Sequence, residues 1–99
     1  MMKLLMSWNI RPGRETEYFE FVVKEFAPGL IHLGLQQTEN WYTLYGDCPQ
    51  ILTGSVAEDA PTIQRALSSD EWQELHNKLE EYITDYSQKV VRATGTLQL

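Results

Sequence analysis

The sequence predicts an α+β domain in which a four-stranded antiparallel sheet is covered by helices on one face. Residues 2–10 alternate between apolar and mixed side chains as a strand does, and two later stretches repeat helical spacing over several turns. Between those stretches lie two runs rich in aromatic and β-branched residues, the composition of strands. The resulting order is β-α-β-β-(short α)-α-β over residues 1–99, one domain's worth of chain.

In the first strand Met2, Leu4, Met6, Trp8 and Ile10 point one way and Lys3, Leu5, Ser7, Asn9 and Arg11 the other. The uniformly apolar set belongs under the helices. The mixed set suits a face that is half wet or covered by another subunit. Pro12-Gly13 breaks the strand, and from about Arg14 a helix follows. Phe19, Val22, Val23, Phe26 and Leu30 form its apolar stripe, with Phe21 opposite and expected to be exposed. Pro28 should kink or end this helix, and Gly34 is a plausible C-terminal cap.

Leu35 to Gly46 reads as a second strand, clearest at Trp41-Tyr42-Thr43-Leu44-Tyr45, and Gly46-Asp47-Cys48-Pro49 supplies a turn. Ile51 to Ala57 resumes as a third strand, antiparallel to the second. Asp59 and Pro61 open a short helix through Leu67. Ser68-Ser69-Asp70-Glu71 then matches a capping box ahead of the strongest helical pattern in the chain. Trp72, Leu75, His76, Leu79, Tyr82, Ile83 and Tyr86 share its face, and a last strand runs from Val91 to Leu99.

Composition excludes several functions. Hydrophobic residues make up 42% of the chain, too apolar for a disordered segment. A net charge of -6 argues against nucleic acid, whose phosphates need clustered Lys and Arg. The acid concentrates at Asp70, Glu71, Glu74, Glu80, Glu81 and Asp85, read as a solvated helix face rather than a docking surface. Cys48 is the lone cysteine, so no intrachain disulfide can form. With no membrane-length apolar run and no secretory leader, a soluble cytoplasmic protein without membrane partners is expected.

This layout is similar to the dimeric α/β-barrel group of ferredoxin-like proteins. That group includes the antibiotic-biosynthesis monooxygenase-like, haem-degrading monooxygenase-like, stress-responsive and NIPSNAP-like families. The resemblance spans nearly the whole chain as a layout. Its motifs are Arg11-Pro12-Gly13-Arg14-Glu15 before the first helix and Ser69-Asp70-Glu71-Trp72-Gln73-Glu74-Leu75-His76 opening the second long one. It implies a homodimer joined through the sheet face, and in each protomer a cavity between sheet and helices. Fold does not fix function in such a group.

His76 is the candidate catalytic residue, because it sits within an apolar stripe. The structural reading is a partly buried imidazole with satisfied nitrogens. The resemblance implies the functional one, since in haem-degrading relatives a histidine near this place ligates haem iron, alongside a strand Asn and a Trp. Asn9 and Trp72 are available here, but Asn9 alternates away from Trp8 and the relatives' Trp lies upstream of the helix. No cofactor is therefore expected, haem being the alternative.

Trp8, Tyr42, Trp72, His76, Tyr82 and Tyr86 are the candidate lining of a ligand cavity, with Trp41 and Tyr45 in the same aromatic group. Aromatics at these periods usually build core, yet a cavity rich in hydroxyl and indole groups suits a flat aromatic molecule. Arg11, Gly13 and Arg14 could hold an anion at a helix start, or simply form a solvent-facing turn. His76 and Glu80 at i,i+4 with His32 are a thin metal signal, and no metal is expected. Three readings follow: a homodimeric binder of a small aromatic or hydrophobic molecule, a non-catalytic structural module, and a cofactor-free or haem-dependent monooxygenase.

Overall fold

The alternation of residues 2–10 sets the sheet. In a computed structural model describing residues 1–42 and 50–92, β1 (Met2–Ile10) lies inside a four-stranded sheet of order β2-β3-β1-β4. It pairs antiparallel with β3 (Ile51–Ala57) and β4 (Ile83–Arg92), and β2 (Gln36–Tyr42) pairs antiparallel with β3. Leu4, Met6, Trp8 and Ile10 are buried in the core beneath the helices, as the alternation requires. The opposite face carries Lys3, Leu5, Ser7 and Asn9 and is left open by the helices. The predicted α+β, ferredoxin-like order is the order observed.

The first helix departs from its predicted stripe. Residues 15–32 are helical throughout, as α1 (Glu15–Phe21), one π-helical turn (Val22–Phe26) and α2 (Ala27–His32). In the π turn the Ala27 N–H donates to the Val22 carbonyl, five residues back. Such a turn inserts one extra residue and rotates everything before it relative to everything after. The buried stripe is therefore Tyr18, Phe21, Phe26 and Leu30, with a step of five in its middle. Phe21, expected outside, is 5% exposed, whereas Phe19 and Val23, expected inside, are 44% and 71% exposed. Pro28 supplies a physical reason: it has no N–H for the Lys24 carbonyl, and its ring crowds the preceding turn. The widened turn takes up that strain and the helix continues past Pro28. It stops at Gly34, whose φ of 88° is left-handed. The Gly34 N–H donates to the Ile31 carbonyl and the Leu35 N–H to the Leu30 carbonyl, closing the end with two buried leucines in register.

The long C-terminal helix is shorter than its apolar pattern predicts. α3 (Ala60–Ser68) is capped by Asp59, whose carboxylate accepts from the Thr62 N–H. α4 (Asp70–Glu80) is capped by Ser69, whose hydroxyl accepts from the Trp72 N–H, so the cap falls one residue later than the predicted Ser68. α4 ends at Glu80. Tyr82 lies in the turn that follows, and Ile83 and Tyr86 belong to β4, not to the helix face assigned to them. A β-bulge explains the false continuation. Ser7 faces Ser87 and Asn9 faces Thr84, so Asp85 and Tyr86 together stand opposite Trp8. Ile83 and Tyr86 thus both turn inward at a spacing of three, which imitates a helix. Asp85 absorbs the extra residue with a φ of 57° and accepts a hydrogen bond from Asn9 Nδ2.

β4 therefore begins at Ile83, earlier than the predicted last strand, and includes Val91 and Arg92 of that prediction. The predicted strand residues at 93–99, the turn containing Cys48 and the candidate ring of Tyr45 lie outside the described residues. Among the described residues no helix is long and apolar enough to cross a membrane.

Candidate functional site

Tyr18 enters the core because the π turn rotates α1, and there it meets Trp8 from β1. Both are buried, at 3% and 2% exposure. Trp8 Nε1 donates to the Tyr18 hydroxyl at 2.9 Å. Burial pushes the Tyr18 phenol up from 10.0 to about 12, although the bond from Trp8 pulls the other way. The hydroxyl therefore keeps its proton at neutral pH.

One side of Tyr18 opens into a hollow of about 200 Å³ between α1 and the β2–β3 hairpin. Phe19 and Val22 line it from the helix, Gln37, Asn40 and Tyr42 from β2, and Ile51 from β3. Most of that lining is apolar. Gln37 Nε2 donates to the Thr53 hydroxyl at 3.3 Å, which fixes the amide against the sheet. The Phe19 and Tyr42 rings lie 6.1 Å apart, and both are about half exposed. Tyr18 was not legible as a site residue, because a strict 3.6-residue period turns it away from the stripe that holds Phe19.

The structure divides the predicted cavity residues among three places. Trp8, Trp72, His76 and Tyr86 form one packed stack. Tyr86 lies parallel to Trp8 at 5.9 Å, His76 stands edge-on to Tyr86 at 4.6 Å, and Trp72 follows at 5.6 Å from His76. Burial and the nearby Glu80 carboxylate raise the Tyr86 phenol pKa, and its hydroxyl donates to Gln88 at 2.7 Å. Tyr82 sits apart, its ring 5.4 Å from Phe21 and beneath the Arg14 guanidinium at 4.9 Å. Tyr42 alone of the predicted set lines the hollow beside Tyr18.

His76 is partly buried, its side chain 19% exposed, and Nε2 donates to Glu80 at 2.9 Å. Its Nδ1 is buried with no partner among the described residues. Nδ1 is shut off from open space and Nε2 is held by Glu80, so the arrangement does not fit an axial ligand for haem iron. His32 is engaged elsewhere, with Glu71 at 2.7 Å. Among the described residues no three His, Cys, Asp or Glu side chains are placed to share a metal ion.

The Arg11-Pro12-Gly13-Arg14 turn is occupied by the protein itself. Arg11 donates to the Glu80 carbonyl at 3.2 Å, closing the end of α4, and Arg14 pairs with Glu17 at 3.0 Å. Other depressions lie on the surface among the described residues. One is lined by Glu17, Glu20, Lys24 and Glu25 beside Tyr82, one by His32, Glu71, Glu74 and Lys78 between α2 and α4, and one by Ile31, Gly34, Leu35 and Gln36. The first two carry acid–base pairs on their walls, Lys24 with Glu20 and His32 with Glu71. The hollow at Tyr18 has the most apolar walls of the four.

No family model matches the chain, and no curated protein matches it. Solved structures do. An uncharacterized NIPSNAP domain protein from Burkholderia xenovorans superimposes with a TM-score of 0.73 at 12% identity, covering 98% of each chain. A NIPSNAP family protein from Agrobacterium tumefaciens gives 0.70 at 19% identity, over 99% of this chain and 97% of that one. A protein from Arabidopsis thaliana gives 0.80 at 10% identity, over 98% and 99%. At such identities the likeness is one of fold: the described residues adopt the ferredoxin-like architecture found in NIPSNAP-domain proteins.

Proposed function

We propose that this protein is a homodimer that binds one small apolar, ring-bearing molecule per protomer, in the hollow between α1 and the β2–β3 hairpin. The observation that carries the reading is the hollow itself: an apolar recess of about 200 Å³ with a buried, protonated phenol in its wall. Concave, mostly apolar sites with a few fixed polar groups are where small ligands bind. Nothing in the geometry calls for chemistry. Tyr18 holds its proton too firmly to act as a base near neutrality, and His76 is packed away from the hollow. The monooxygenase reading therefore gains no support from the arrangement.

Dimer formation is supported by the open face of the sheet. Lys3 on this face is only 6% exposed and is ion-paired with Glu39. Around it lie Leu5, Val56 and Val91, half-buried, with Leu52 at 43% exposure. An apolar face with a central ion pair suits contact with a second copy more than contact with water. A single cysteine suits the reducing cytoplasm, where we place the protein.

The binding reading is tested by filling the hollow. Ligand-detected NMR with ethylbenzene should give a saturable signal with the native protein. Val22→Trp should abolish it while circular dichroism stays native. An equal signal from both proteins would place binding elsewhere and end the reading.

A further inference from the structure

We infer that the ligand of this hollow is an uncharged single-ring molecule bearing a carbonyl-type hydrogen-bond acceptor, and that the Tyr18 hydroxyl is the group that recognises it. The inference rests on the binding reading above and adds the chemical class. Its first support is the direction of the Trp8–Tyr18 bond. Trp8 can only donate, so at 2.9 Å it occupies a lone pair of the Tyr18 oxygen and leaves the phenolic proton to point elsewhere. Among the described residues no acceptor takes that proton, and Tyr18 itself lines the hollow. A donor so placed is completed by an acceptor on the ligand. The bond from Trp8 also polarises the hydroxyl, which makes it the better donor.

Charge and size narrow the class. Among the described residues the lining contains no Asp, Glu, Lys or Arg. A carboxylate or ammonium drawn into it would lose its water without gaining a counter-charge. The hollow measures about 200 Å³. A dry cavity of about 150 Å³ accommodates benzene, so the space suits one ring with a short substituent. Phe19 and Tyr42, at the exposed rim, give such a ring aromatic neighbours.

The test uses the full chain and three probes of similar size: acetophenone, ethylbenzene and benzoate. Dissociation constants are measured by protein-observed NMR. One neutral hydrogen bond predicts that acetophenone binds roughly tenfold tighter than ethylbenzene, with benzoate weaker than both. In Tyr18→Phe the advantage of acetophenone should vanish while ethylbenzene binds as before. Equal affinity for acetophenone and ethylbenzene in the native protein would overturn the acceptor class and leave the binding reading standing. Tighter binding of benzoate would overturn it too. Failure of all three probes to bind would overturn both. The comparison among probes in the native protein decides the matter even if Tyr18→Phe does not fold.

Discussion

Trp8 and Tyr18 are two large side chains that can be buried together because each meets the other's polar atom. An indole N–H buried without an acceptor is costly, and Tyr18 is the acceptor here. Tyr18→Phe should therefore lower the unfolding free energy by about 1–3 kcal/mol, read from urea denaturation. An unchanged midpoint would mean that the Trp8–Tyr18 bond contributes nothing. The phenol also sets a pH dependence. Folded Tyr18 keeps its proton to about 12, whereas the unfolded chain releases it near 10.0. This contribution is full below the unfolded value, and stability falls as pH climbs from there toward the folded one. Tyr86, also raised, acts in the same direction. The loss of urea resistance on going from about pH 9 to about pH 11 should be smaller in Tyr18→Phe, since the unfolded chain there has one phenol fewer to ionise. Ser55 is the opposite case. It is 0% exposed and its hydroxyl has no partner among the described residues, so it gives the fold little. Ser55→Ala should leave stability unchanged or raise it by up to about 1 kcal/mol. A clear loss of stability would mean that the hydroxyl has a partner after all.

At the scale of elements, regular patterns were legible in the sequence and one-residue irregularities were not. β1, the β2–β3 pairing, α3, and the stop at Gly34 all follow from alternation, turn residues and caps. The π turn and the β4 bulge each add one residue, and a periodic reading cannot see an added residue. The first exchanged Phe19 and Val23 for Tyr18 and Phe21. The second made Ile83 and Tyr86 resemble helix. Pro28 was the available signal for the first, since a proline inside a strong helical pattern has to be accommodated somewhere. Phe21→Ala should cost about 3–5 kcal/mol, the range for truncating a buried aromatic, whereas Val23→Ala should change stability by less than about 0.5 kcal/mol. The reverse order would restore the uninterrupted stripe and remove the π turn from the account.

For the whole molecule, the candidate site was only partly legible. The predicted rings are real neighbours at Trp8, Trp72, His76 and Tyr86, but they fill their space by packing on one another. The hollow opens instead between α1 and the paired strands β2 and β3. Only Tyr42 of the predicted set reaches it, because its position depends on the π turn. The open sheet face belongs to this scale too. Sedimentation velocity at micromolar concentration should show a dimer, and Leu5→Arg should convert it to monomer without loss of helical signal. A native monomer would remove the second copy from the account. Binding in the hollow is tested most directly by a ¹H–¹⁵N correlation titration with acetophenone. Saturable shifts at the amides of Tyr18, Phe19, Val22, Gln37, Asn40 and Ile51 are predicted. Shifts centred on Trp72 and His76, or none at saturating probe, would contradict it.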